Sequence, residues 1–321
     1  MLKYFTNFIK KYIALGFTAY PLLSSILRLI GIYTSFLLIF GKFYINKDII
    51  FSTLSLYFYV FYLVMTNMYI DYELDKVAHP KRALPSGKLS LKEARINILI
   101  TLVLIFVFGI FVANKWFVTI ITIYAIAYFI ITKMKYFKFI PFLHMANNAI
   151  ALFIFTVSAG IAVSRFPTQL IVFSLAMFFV YFGNISFASI RDMDGDRKFS
   201  IETFATKLGG RITAILGLFF CMLGIISSII LSLLIKHFAV YWIVTVAVII
   251  VGAMCIYKTI IYLITNDFLY ISNIQTWFDH LDRVLVSGIW ISVIIKLLQN
   301  VFQFSVNMTA KRLIDYYWCN W

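Results

Sequence analysis

The chain has 321 residues, of which 63% are hydrophobic and only 13% charged, and its mean hydropathy is +0.94. That excludes a soluble domain of this length and indicates a polytopic helical membrane protein. The net charge of +15 would point a soluble protein towards nucleic acid; here the basic residues lie between apolar spans, where membrane orientation explains them and nucleic acid is set aside.

Met1 to Lys11 is basic and is followed by no small-residue cleavage site, so residues 1–19 read as a retained interfacial segment. Apolar stretches long enough to span a bilayer fall at about 20–41, 49–70, 97–113, 117–132, 140–163, 168–190, 213–235, 239–257 and 284–305. The expectation is an all-α polytopic bundle of nine transmembrane helices, a single domain over 1–321. The third and fourth spans are separated only by Asn114-Lys115. Of 28 Lys and Arg, 19 fall at the N-terminus and in the loops after spans two, four, six and eight, against 7 in the alternate set. This bias puts the N-terminus in the cytoplasm and the C-terminus outside. The 34 Phe and 20 Tyr read mainly as lipid-facing bulk and interfacial belts, with a subset available to line a cavity for an unsaturated chain or a carbocation. Cys221, Cys255 and Cys319 are scattered, and His79, His144, His237 and His280 have no ligand spacing. Neither a disulfide framework nor a zinc site is supported.

The second span runs into Asn67-Met-Tyr-Ile-Asp71-Tyr-Glu-Leu-Asp75-Lys76. Asn67, Asp71 and Asp75 are four apart and share one stripe of a helix. Carboxylates at the mouth of an apolar helix are costly without a cation. After the sixth span, Asp192-Met-Asp194-Gly-Asp196 repeats the spacing, and both loops lie on the expected cytoplasmic side. Each continues with basic residues and a short irregular stretch, like two copies of one unit. Single Asp-x-x-x-Asp pairs often decorate solvated helix ends; two on one side of the membrane favour a site. Glu73 and Asp194 point away from the paired positions; Glu73 reads as solvated charge, and Gly195 marks a possible helix break beside Asp194. Asn147, Asn148 and Asn184 read as interhelical hydrogen bonds. Pro85-Ser86-Gly87 reads as a turn. Arg28 either snorkels or reaches a ligand.

Mg²⁺ takes oxygen ligands, commonly one or two carboxylates plus substrate phosphate. Two opposed pairs, Asp71/Asp75 and Asp192/Asp196, with Asn67, therefore suit a metal-bound diphosphate. Metal would draw charge from the leaving group of an allylic C–O bond. Lys76, Arg82, Lys88, Lys133, Arg191, Arg197, Lys198 and Lys207 form the pool of cations for the anion. No Ser/His/Asp or Cys/His arrangement competes.

These residues resemble the UbiA superfamily of intramembrane prenyltransferases. Asn67-x-x-x-Asp71-x-x-x-Asp75 is similar to its first aspartate-rich motif, and His79-Pro-Lys-Arg82-Ala-Leu-Pro85-Ser86-Gly87-Lys88 to that motif's tail, with Ala83 where proline is usual. Asp192-x-x-x-Asp196 followed by Lys207-Leu-Gly209 resembles the second motif. Tyr128 to Lys133 resembles a Tyr/Lys element, and Leu27-Arg28 a Leu-Arg-Pro lacking its proline. Met68 and Ser189 depart from residues common in the family. The resemblance implies Mg²⁺-dependent transfer of a polyprenyl group from an isoprenyl diphosphate to a hydrophobic acceptor. Asp71, Asp75, Asp192 and Asp196 with Asn67 would hold metal and diphosphate, and Arg82, Lys88, Tyr128, Lys133, Arg191 and Lys207 would contact the diphosphate. An aromatic quinone precursor leads as acceptor; a lipid or sugar phosphate, or closure of the cation on itself as in a terpene cyclase, are the alternatives. A transporter or flippase should place charges at mid-membrane on several helices, whereas these cluster at one face.

Overall fold

The computed structural model describes residues 46–78, 80, 82–134, 141–162, 168–234 and 241–267, with 270–271, 273–278, 280–281 and 284–285 beyond them. Arg28, the interfacial segment 1–19, the first span and nearly all of the ninth lie outside the described residues. The regular elements described are all helices: α1 (Lys47–Ile70), α2 (Tyr72–Ala78), α3 (Leu91–Gly109), α4 (Lys115–Met134), α5 (Pro141–Ala162), α6 (Thr168–Arg191), α7 (Met193–Lys198), α8 (Phe204–Leu208), α9 (Gly210–Leu234) and α10 (Tyr241–Thr265). Among the described residues, five helices are long and apolar enough to cross a membrane: α1, α4, α6, α9 and α10. The sixth apolar stretch, Ala146–Ala162 in α5, is shorter.

Two boundaries differ from the hydropathy reading, for local reasons. α3 starts at Leu91 rather than near 97, because Ser90 and Glu93 form a reciprocal capping box that satisfies two amides of the first turn. Its charged first turn is therefore helical although not apolar. α10 runs on to Thr265, past the expected 257, because the Lys258 stem stays on the helix while its ammonium lies 5.8 Å from the Tyr257 ring centre and 6.0 Å from that of Tyr270. The narrow break between the third and fourth spans is real. Lys115 donates its ammonium to the carbonyls of Ile110 (2.7 Å) and Val112 (3.3 Å), and the Asn114 carboxamide oxygen accepts from Trp116 N at 3.1 Å.

The two most extensive helix contacts are α6 with α9 and α1 with α3, the pairs that flank the two acidic loops. Small residues let α6 and α9 close up: a Cβ on Gly217 would stand 2.8 Å from the Phe187 ring, and one on Gly183 would stand 3.0 Å from the Gly217 carbonyl. Close backbone approach of this kind drives helix association where lipid replaces water. The outward faces carry Ile215, Phe219, Ile226 and Leu233 on α9 and Val246, Ile250 and Ile264 on α10, the pattern expected against hydrocarbon. A contiguous apolar core links α1 through α10 and includes Ile271, Ile274, Phe278, Leu281 and Leu285.

Candidate active site

Both acid pairs are built the same way. α1 ends at Ile70 and Asp71 steps out of helical geometry (φ −88°, ψ 10°); α6 ends at Arg191 and Asp192 does likewise (φ −90°, ψ 2°). The four-residue ladder nevertheless continues through each step. Asp71 N donates to Asn67 O at 2.8 Å and Asp75 N to Asp71 O at 2.7 Å; Asp192 N donates to Ala188 O at 3.0 Å and Asp196 N to Asp192 O at 2.9 Å. Each chain bends while its carboxylates keep one face. The break thus falls at Asp192, and α7 continues through Gly195.

Each pair is followed by a loop that the core pins down. Ala83 and Leu84 are buried, and the turn around them is closed by Ser86 N to Arg82 O (3.0 Å), Gly87 N to Leu84 O (3.1 Å) and Leu89 N to Ala83 O (3.0 Å). Gly87 takes φ +74° there, a conformation open to glycine at little cost. In the second loop, Ile201 is buried and its N–H donates to Asp196 O at 2.9 Å. Thr203 and Thr206 then cap α8, and Gly209 at φ +83° leads into α9. α2 and α7 touch, so the two acidic segments face one another.

Between them lies a cavity of about 560 Å³. Asn67, Asp71, Asp75, Arg82, Arg191, Asp192 and Asp196 all line it, together with Asn148, Tyr181, Ser189, Lys198 and Thr203; Leu74, Ile185 and Ala188 supply apolar wall. Of the expected contacts, Lys88, Lys133, Tyr128 and Lys207 are not on this wall. Lys88 and Lys133 are exposed. Lys207 is paired with Glu202 at 2.6 Å. Tyr128 is one step away, donating from its buried hydroxyl to Asn148 Oδ1 at 2.6 Å. Asn148, read from sequence as interhelical glue, makes that bond and faces the cavity as well. Ser189 was legible only as a departure, yet it lies three residues before Asp192 and so on the same face of α6. Glu73 is exposed and ion-paired to Lys76 at 3.0 Å, which raises the Lys76 pKa. Asp194 is exposed, 3.8 Å from Arg197.

Two arginines sit on the carboxylates. Arg82 Nη1 donates to Asp75 Oδ1 at 2.6 Å, with Asp75 almost wholly buried. Arg191 grips Asp192 bidentately, Nε to Oδ1 at 2.7 Å and Nη2 to Oδ2 at 2.8 Å, the strong planar geometry of this pair. Two buried oxygens on the wall, Asn67 Oδ1 and Ser189 Oγ, have no hydrogen-bond partner among the described residues, which makes them candidates for a ligand's donor or cation. Among the described residues no group of three or more His, Cys, Asp or Glu could hold a metal on its own. The oxygen-rich donor set fits a hard ion such as Mg²⁺ whose coordination is completed by substrate oxygens and water, rather than a closed protein cage.

A family model described as the UbiA prenyltransferase family matches residues 28–267. Over 182 residues the chain is 28% identical to the chloroplastic 2-acylphloroglucinol 4-prenyltransferase of Humulus lupulus, covering 53% of this chain and 43% of that protein. Over 159 residues it is 30% identical to the digeranylgeranylglyceryl phosphate synthase of Korarchaeum cryptofilum, covering 47% and 52%. The chain thus spans about half the length of these curated relatives. Among solved structures, a digeranylgeranylglyceryl phosphate synthase superposes with TM-score 0.69 at 21% identity, covering 89% of this chain and 98% of that one. A homologue from Archaeoglobus fulgidus, solved bound to GPP and Mg²⁺, superposes with TM-score 0.57 at 16% identity over 85% and 97%. At these identities the structural likeness establishes the fold.

Proposed function

Because the chain belongs to the UbiA prenyltransferase family, we propose that it transfers a polyprenyl group from an isoprenyl diphosphate to a hydrophobic acceptor, with Mg²⁺ as cofactor. The observation that carries this reading is the charge of the cavity wall. Four carboxylates (Asp71, Asp75, Asp192, Asp196) face three basic side chains (Arg82, Arg191, Lys198), so the described wall is slightly negative. Such a wall attracts a polyanion only when divalent cations arrive with it. A metal-bound diphosphate meets that condition; a bare anionic lipid does not.

In this mechanism Asp71, Asp75, Asp192, Asp196 and Asn67 hold the metal-diphosphate. Bound Mg²⁺ supplies Lewis acidity that stabilises charge on the departing diphosphate. Arg82, Arg191 and Lys198 meet the phosphate oxygens and neutralise what develops as the allylic C–O bond breaks. Leu74, Ile185 and Ala188 receive the first carbons of the prenyl chain, and the Tyr181 ring lies at the same wall, where a π-face stabilises an allylic cation. The acceptor nucleophile then attacks that carbon and loses its proton. Lys88, Tyr128, Lys133 and Lys207 are assigned supporting roles, Tyr128 by orienting Asn148. Arg28, on the expected first span, is assigned to the acceptor. The site opens to the cytoplasm.

An aromatic quinone-type precursor is the favoured acceptor, since the described wall has no spare cations for a second phosphate. A glyceryl phosphate acceptor, suggested by the product in the name of the archaeal digeranylgeranylglyceryl phosphate synthases, is the second reading. Purified protein with Mg²⁺, geranylgeranyl or farnesyl diphosphate and a panel of both acceptor types separates them. Diphosphate release stimulated by phenolic acceptors supports the first reading, and stimulation by glyceryl phosphates the second. Release without any acceptor indicates cyclisation, and no release with any chain length revives a transporter.

A further inference from the structure

Arg191 also bonds a residue far along the chain. Its Nη1 donates to Gln275 Oε1 at 3.0 Å, while Nε and Nη2 are committed to Asp192. Gln275 belongs to the helical residues between 270 and 285, which lie beyond the stretch matched by the family model. Ile271, Ile274, Phe278 and Leu281 recur at helical spacing and are at most 1% exposed. Phe278 locks onto α6 itself: its ring lies 5.2 Å from that of Phe187, and a Cβ on Gly183 would stand 2.7 Å from it. The carboxamide of Gln275 is thus presented to Arg191 by anchored helical residues, on the face of α6 that runs from Gly183 through Phe187 to Arg191.

We propose that Gln275 is a positioning residue of the second acid pair, fixing the third edge of the Arg191 guanidinium so that it lies across Asp192 and faces the incoming diphosphate. Asp192 is the next residue in the chain, so that pair holds the guanidinium from its own segment, whereas Gln275 holds it from a separate one. The neutral carboxamide adds this second hold without neutralising the charge, so Arg191 keeps its attraction for phosphate. A carboxylate at position 275 would hold the arginine more tightly but compete with the phosphate. This inference rests on the diphosphate-binding reading of the site.

The test is calorimetric titration of the full-length protein in detergent with inorganic pyrophosphate at saturating Mg²⁺. It compares the wild type with Gln275→Leu, Gln275→Glu, Arg191→Met and the double variant Gln275→Leu/Arg191→Met. Gln275→Leu is expected to weaken binding by about tenfold, the size of one lost hydrogen bond to a charged group, with its unfolding temperature unchanged. Gln275→Glu weakens it too. The double variant binds no more weakly than Arg191→Met alone, because Gln275 acts only through that guanidinium. Wild-type affinity in Gln275→Leu, or full additivity in the double variant, overturns the inference while leaving the active-site reading intact. Failure of the wild type to bind pyrophosphate overturns both.

Discussion

Asp75 is the most buried of the described acids, and Arg82 is the partner that keeps its charge tolerable at 2.6 Å. Stripping the guanidinium from a buried pair costs about 3–5 kcal/mol, and the partial exposure of Arg82 puts this case at the low end. Arg82→Met is therefore expected to lower the unfolding temperature of the metal-free protein, and added Mg²⁺ should recover more stability in the variant than it adds to the wild type. Equal responses to Mg²⁺ would show that metal does not reach Asp75. Asp71→Asn and Asp192→Asn keep shape and remove charge. Each should cut turnover by roughly a hundredfold or more while the protein remains folded and extractable, as size-exclusion chromatography would report. The acid pairs were legible in the sequence because helical periodicity turns a spacing of four into a shared face. The cations were legible only in part: Arg82 and Arg191 were expected and line the cavity, while Lys88, Lys133 and Lys207 were expected and do not. Arg82 and Lys88 are equivalent as charges in the same loop, and only the burial of Ala83 and Leu84 decides that the first is delivered to the cavity.

At the level of elements, the α6–α9 contact sets the second acid pair in place, since α6 ends at Arg191 and α9 follows the second loop. Gly224 stands where a Cβ would come within 2.6 Å of Val180. Gly224→Leu should force the helices apart at a cost of about 1–3 kcal/mol, read as a lower unfolding temperature in detergent. The outward-facing Ile226, changed to Leu, should leave it unaltered. A tolerated Gly224→Leu would mean that this interface does not govern the spacing. The order of the long apolar helices along the described chain was readable from hydropathy, as was the separation of α3 from α4; the short helices α2, α7 and α8 were not. The ends were less so: a capping box carries α3 back over Lys92 and Arg95, and a single snorkelling Lys258 does not stop α10. Charge marks where a span leaves the hydrocarbon, whereas capping marks where a helix stops.

For the whole molecule, the basic bias of alternate loops predicts that both acidic loops face the cytoplasm. Ser86→Cys, in an exposed turn and combined with Cys319→Ser to remove the cysteine at the opposite-side C-terminus, should be protected from a membrane-impermeant maleimide in intact cells and labelled in inverted vesicles. Labelling of intact cells would reverse the orientation. The architecture places two similarly bent Asp-bearing helix ends around one cavity, and that pairing is what the proposed chemistry requires. The most direct measurement is pyrophosphate release from geranylgeranyl diphosphate by the purified protein with a phenolic acceptor, with and without Mg²⁺, beside Asp71→Asn and Asp192→Asn. The account predicts release that depends on Mg²⁺ and is lost in both variants; release that persists in either variant, or without divalent metal, would contradict it.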